Sequence, residues 1–303
     1  MPELERITLR DRSSALTATF VPDAGMIGTS LAEGELEFLG RRRGLDAYVT
    51  DAKTMGIPIL YPWANRLGAD HYRAEGAQVH LTAGEGRVRT DPHGAPIHGV
   101  LAAYPGWKIT ERSSDSLTAT LDYDTDELLA AFPFRHVLTQ RITLADRTLS
   151  IATTVEPTAA VPVPLCFGYH PYFTIPGVPR GQWELGTPAM RHLPVDERGI
   201  PTGAHEPLPA ASAPLAERVL DDGFDEVAPG SVFTIAGGEH RIDVSFDAGY
   251  PAAQLFAPAG DDLIAIEPMA APTDALRRGG YRTAAPGQPE TARFSVTVGP
   301  RNG

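Results

Sequence analysis

Apolar and polar positions alternate along much of this chain. Over 116–124, Leu117, Ala119, Leu121 and Tyr123 fall on one side, with Thr118, Thr120 and Asp122 on the other. Over 135–144, Leu138, Ile142 and Leu144 oppose Thr139, Arg141 and Thr143, and over 148–155 Leu149, Ile151 and Val155 share a side. Ile242, Val244 and Phe246 alternate with Arg241, Asp243 and Ser245, and Phe294, Val296 and Val298 with Arg293, Ser295 and Thr297. Successive side chains of an extended strand point to opposite faces, so a period of two predicts half-buried strands with one face on a core. Helical spacing is scarce: 124–132, with a capping Asp or Thr, predicts two turns, and 273–278 a shorter piece. Strands at regular intervals with turn signals between them predict an all-β sandwich or barrel of antiparallel sheets. The Ala- and Pro-rich stretch 201–214 reads as a surface loop. Strand patterns of the same kind lie on both sides of it, so residues 1–303 read as one domain.

Composition sharpens this picture. The 303 residues include 30 Gly and 28 Pro, far above an average of about 12% for the pair, which is hard to fit into long helices. A hydrophobic share of 42% is enough for a large core and excludes a disordered chain. The net charge of −12 argues against a nucleic-acid or anionic-membrane surface, because phosphates are held by basic stripes. Cys166 is the only cysteine, so no intrachain disulfide is possible. No apolar run approaches the roughly 20 residues that span a bilayer. The charged start MPELERITLRDRSS has no apolar secretory core, so a cytoplasmic location is expected.

Four segments break the alternation: 56–68, 95–107, 163–173 and 264–276. Each mixes Pro or Gly with apolar residues around one strong polar group, a pattern that suits a concave site at strand ends. His170 lies among Tyr169, Pro171, Tyr172 and Phe173; an imidazole so placed exchanges protons near neutral pH or simply packs against a carbonyl. Glu267 ends the apolar run 263–266, where burial raises a carboxyl pKa unless an arginine pairs with it, and Arg66 is the candidate partner. Asn65 and Arg66 offer donors and an acceptor for hydroxyl groups. His98 precedes Gly99, which allows close backbone approach but also suits an ordinary turn. Asp221 and Asp222 lie in an acidic turn of the kind that is usually just solvated. The run Arg41–Arg43 could hold a phosphate but reads first as a solvated loop. HExxH, P-loop, GxGxxG and GxSxG patterns are absent, and Cys166 reads as a small core residue.

In order along the chain, PWANRLGADHY at 62–72, IHG at 97–99, GYHPYF at 168–173 and IEPMAAPTDAL at 266–276 resemble the aldose 1-epimerase (galactose mutarotase) family. LDDGFDEV at 220–227 is similar to that family's acidic turn, in which the Asp precedes an aromatic by three; this spacing selects Asp221 over Asp222. GQPETARFSVTV at 287–298 resembles its closing strand. The resemblance implies a large antiparallel β-sandwich, the galactose mutarotase-like supersandwich, with few short helices. It implies anomer interconversion of a free aldose without a cofactor or metal, with Glu267 as general base and His170 as general acid. Arg66, His98 and Asp221 map onto sugar-hydroxyl contacts, joined by Asn65, while Tyr172, Trp63 and Phe173 would give flat surface for the sugar ring. The expected partner is a small sugar, not nucleic acid or membrane, and the expected assembly a monomer or homodimer.

Two points qualify the resemblance. At pH 7 an ordinary histidine is mostly neutral, so His170 as an acid requires either a raised pKa, which a carboxylate such as Glu267 or Asp221 would favour, or a proton received during binding. A neighbouring branch acting on hexose 6-phosphates carries an Arg shortly after the HG pair, where this chain has Val100-Leu101-Ala102. A free aldose is therefore expected ahead of a phosphorylated one. The rival readings are a non-catalytic sugar binder or sensor on the same fold, a hexose-6-phosphate 1-epimerase, and a glycosidase or lyase using Asp221 and Glu267.

Overall fold

A computed structural model describes residues 4–301. The alternating segments form the strands Ser116–Tyr123, His136–Ala145, Thr148–Pro157, His240–Ala248 and Glu290–Pro300. All five pair antiparallel within one nine-stranded sheet. Register sets apolar side chains against one another on its inner face: Ile151 opposite Phe294, Leu149 opposite Val296, Leu138 opposite Leu121. Each is at most 2% exposed, and full burial of such a side chain stabilises by about 1.5–3 kcal/mol. His136, Gln140 and Thr153 are buried polar exceptions on that face; Gln140 Nε2 donates to the Tyr169 hydroxyl at 2.9 Å.

A second sheet of eight strands stacks on the first. Along its main path run Glu206–Leu208, Met190–Leu193, Leu220–Asp225, Ala252–Ala257, Ile264–Met269, Gly168–Tyr169 and Ile59–Leu60, and Tyr172–Phe173 pairs with Ile264–Met269 beside that path. One core cluster contains inner-face residues of both sheets, and the Tyr169 and Phe294 rings meet across it at 5.0 Å. The molecule is thus a β-sandwich. An N-terminal four-stranded sheet, absent from the sequence reading, joins the same core through Leu9, Leu16, Phe20 and Leu31.

The helices are short. Asp126–Ala131 forms where expected, capped by the Thr125 hydroxyl, and Ala275–Arg278 makes one turn. Gly44–Asp51 was not signalled: only Tyr48 of its eight residues is buried, so no apolar stripe marks it. The stretch 201–214 is not a plain loop. It holds two strands, Glu206–Leu208 and Ala211–Pro214, which extend the eight- and nine-stranded sheets respectively. Both strands are almost wholly exposed, so no inward–outward alternation revealed them. Among the described residues no helix is long and apolar enough to cross a membrane.

Candidate functional site

The site is built on the eight-stranded sheet. Ile264–Met269 is buried at all six positions, Ile264 and Ile266 in the core and Glu267 on the opposite face. Register lines Glu267 up with Gln254 and Gln254 with Gly223. Asp221 lies two residues from Gly223 on the same face, and Gln254 Nε2 donates to Asp221 Oδ1 at 2.7 Å. Asp222 points the other way and pairs with His192.

His170 enters from the adjoining chain. Its N–H donates to Pro58 O at 3.1 Å, and Ile266 N–H donates to Pro171 O at 3.3 Å. Gly168 makes this close packing possible, since a Cβ there would lie 2.6 Å from Pro268 O. His170 Nε2 then lies 3.2 Å from Glu267 Oε1. The Tyr172 ring stacks on the imidazole at 4.3 Å, with its hydroxyl 3.2 Å from the same nitrogen and 2.7 Å from Thr54 Oγ1. The His98 ring stands edge-on to His170 at 5.5 Å. His98 and Gly99 both have left-handed backbones, with φ of 61° and 62°. The loop is fixed by His98 N–H donating to Asn65 O and Val100 N–H to Tyr61 O.

Arg66 is held in place rather than free. Its Nε donates to Asp91 Oδ2 at 2.9 Å and its Nη1 to Asn65 Oδ1 at 3.1 Å, and its Nη2 lies 3.7 Å from Asp221 Oδ2. Asp91 is itself fixed by the backbone N–H groups of His93 and Ala95. Asp274, with no exposed side-chain surface, clamps the arginine loop: it accepts from Gly68 N–H at 2.7 Å, and its own N–H donates to Arg66 O. Asp274→Ala removes the acceptor of the half-buried Gly68 N–H and is expected to destabilise the fold by about 1–3 kcal/mol in denaturant titration. An unchanged midpoint would show that water replaces the clamp.

Glu267 and His170, with the half-buried His98 beside them, form the floor, while Arg42, Arg66, Asp221 and Phe256 form a partly exposed rim. Phe256 stands edge-on to His170 at 5.8 Å. Three polar atoms of the floor have no partner: Glu267 Oε2, His170 Nδ1 and His98 Nδ1. Burial pushes the Glu267 carboxyl well above its usual range, helped by Asp221 and opposed by Arg66. Burial, with a contribution from Arg42, pushes His170 down. Burial, then His170, Arg89 and Arg66, pushes His98 down. Both members of the contacting pair therefore favour neutral forms, with the shared proton on Glu267.

The structure thus gathers Glu267, His170, His98, Arg66, Asn65, Asp221 and Tyr172 in one place. Several expectations change. The carboxyl beside His170 does not raise its pKa: burial and then Arg42 push the imidazole down, and Glu267, driven by its own burial towards the neutral form, offers no charge to oppose them. Arg66 does not pair with Glu267; it pairs with Asp91 and Asp221. Trp63 and Phe173 lie in the inter-sheet core, at 1% and 0% exposure, whereas the rings paired with His170 are His98, Tyr172 and Phe256. Of the three aromatics expected to flank a sugar, Tyr172 alone touches the imidazole. The sequence reading missed Gln254, Phe256, Thr54 and Asp91. A polar residue in the apolar strand Ala252–Ala257 was the one available signal, for Gln254.

Comparison with known proteins shows the family and agrees with this fold. A family model described as Aldose 1-epimerase matches residues 21–297. A curated protein of Escherichia coli K12, named uncharacterized protein YihR, is 26% identical over 233 residues, covering 73% of this chain and 71% of its own length. The crystal structure of a putative aldose 1-epimerase from E. coli K12 superposes with a TM-score of 0.77 at 20% identity, over 98% of this chain and 99% of that one. The aldose epimerase homologue from C. elegans gives 0.81 at 18% identity, over 98% and 99%. At such identities the superpositions show the fold alone.

Proposed function

The chain belongs to the aldose 1-epimerase family, and from that premise we propose that it interconverts the α and β anomers of a free aldose, with Glu267 and His170 moving the protons. The observation that carries this reading is which atoms of the pair are free. Oε1 and Nε2 face each other at 3.2 Å, while Oε2 and Nδ1 are buried without partners. With Glu267 protonated on Oε1 and donating to Nε2, the imidazole carries its own proton on Nδ1.

A pyranose placed against the two free atoms opens without any charged intermediate on the protein. The anomeric O–H gives its proton to Oε2 while Oε1–H passes to Nε2 and Nδ1–H passes to the ring oxygen. The C1–O5 bond breaks with its electrons on O5, and C1–O1 becomes the aldehyde carbonyl. Rotation about C1–C2 presents the other face, and the reverse transfers reclose the ring. Glu267 is base and His170 acid in the opening step, and both return to their starting forms. Arg66, His98 and Asp221 bind hydroxyl groups, and the half-buried Phe256 supplies apolar surface in place of Trp63, while Tyr172, itself only 1% exposed, stacks on His170 and holds the imidazole in place.

The activity is tested by polarimetry of freshly dissolved α-D-glucose and α-D-galactose. Rotation is expected to decay faster with the protein than in buffer, and matching decays for a bound sugar would leave a binding protein. The pH dependence tests the relay. The working form is lost at low pH as His170 gains a proton, and the lowered pKa moves that limb below the ordinary histidine range. It is lost at high pH as Glu267 loses its proton, and the raised pKa moves that limb above the ordinary glutamate range. The profile of kcat/KM is therefore expected to show no fall towards acid centred near pH 6.5. An acid-side fall centred there would show that His170 titrates as an ordinary imidazole and refute the neutral relay.

A further inference from the structure

Two guanidinium groups beside the floor are poorly matched by carboxylates. Arg89 is largely buried; its Nη1 donates to Ala52 O at 2.8 Å, its Nη2 has no partner, and among the described residues no carboxylate pairs with it. Desolvation lowers its pKa, the mark of a buried cation without compensation. Arg42 lies over the Tyr172 and Phe256 rings, 5.4 and 5.9 Å from their centroids. Its contacts are long: 3.4 Å to the Tyr172 hydroxyl and 3.5 Å to Asp261, which is 46% exposed. Both side chains converge on one short segment, because Arg89 holds Ala52 and Arg42 shares the Tyr172 hydroxyl with Thr54. The Tyr172 ring that Arg42 covers is the one stacked on His170, and beyond the burial effect the Arg42 charge acts on His170 and the Arg89 charge on His98.

The position of these cations fits one part of a sugar. A pyranose ring oxygen joins C1 to C5. If Glu267 marks C1 and His170 the ring oxygen, the groups beyond His170, on the Tyr172 side, meet the substituent on C5. We propose that Arg42 and Arg89 form a subsite for an oxyanion on that substituent, so that among the aldoses the site accepts it prefers one carrying a carboxylate or phosphate at the exocyclic carbon. This rests on the anomerase reading for the placement of the sugar. The residues after His98-Gly99 remain the buried apolar Val100, Leu101 and Ala102; the cations come from other segments of the chain. A guanidinium suits an oxyanion because its planar N–H fork matches two oxygens, and such bonds are about twice as strong as neutral ones.

Calorimetric titration of the whole protein with D-glucose, D-glucuronate and D-glucose 6-phosphate provides the test. At least one acidic sugar is expected to bind about tenfold or more tightly than D-glucose. That ratio is expected to fall towards one in Arg42→Gln and in Arg89→Gln. Arg42 is the more exposed, so its variant gives an answer even if the Arg89 variant does not fold. Preference for glucuronate assigns a carboxylate, and preference for the phosphate ester assigns a phosphate. Both acids binding no more tightly than glucose, or a preference that survives Arg42→Gln unchanged, overturns the subsite. Tight binding of an acid with no change in its anomer exchange would overturn the activity and leave the subsite standing.

Discussion

Replacing Glu267 with Gln is expected to slow anomer interconversion by about 10²–10⁴-fold, the range that a positioned acid–base group contributes. The amide keeps the shape and burial of the carboxyl. It can neither take the anomeric proton on one atom nor release another from its partner atom to His170 Nε2. His170→Asn is expected to fall in the same range, because it removes the second half of the same relay. The double variant is expected to be little slower than either single one, since groups that act as a unit are not additive. Stopped-flow polarimetry or NMR exchange of one sugar across the three variants checks this. Wild-type rates in both single variants, on a sugar that the protein turns over, would remove the pair from the chemistry. Multiplicative losses in the double variant would show two independent contributions in place of a relay.

Gly99→Ala is expected to have the largest effect on folding. Gly99 has φ of 62°, and a Cβ on it would lie 2.0 Å from Tyr61 O and 2.2 Å from Tyr61 C. A left-handed backbone alone costs an L-residue roughly 1–2 kcal/mol, and displacing the Tyr61 backbone brings the expected loss to about 3 kcal/mol or more. The same loop carries His98, so any folded fraction is expected to bind sugar more weakly as well. Denaturant unfolding measures the first effect and calorimetry the second. A loss below about 1 kcal/mol would mean that the loop shifts freely, and His98 would not then be held as described.

Much of the architecture was legible because burial on one face leaves a period-two trace. Leu117 to Tyr123 and Leu149 to Val155 declare their strands this way. Elements without that asymmetry were silent. Glu206–Leu208 and Ala211–Pro214 are exposed on both sides, and Gly44–Asp51 buries one residue. Within the site, Glu267 stood out because a carboxyl at the end of an apolar strand demands a reason, and His170 because aromatics surround it. Trp63 carried the same aromatic signal but belongs to the core, since adjacency in sequence does not say which way a ring faces. Arg42 sits in a run of three arginines that reads as a solvated loop; only the fold brings it over Tyr172. The protonation of the pair was the least legible feature. A nearby carboxylate predicts a charged imidazole, whereas the degree of burial, set by both sheets, reverses the balance.

The most direct test of the account is a crystal structure of the protein with an aldose bound, at a resolution that separates the two anomers. The account predicts the anomeric oxygen within hydrogen-bond reach of Glu267 Oε2 and the ring oxygen within reach of the free His170 nitrogen, in one site with Arg66, His98 and Asp221 on the remaining hydroxyls. A sugar bound with its C1 and ring oxygen turned away from Glu267 and His170, or bound elsewhere on the molecule, would contradict it.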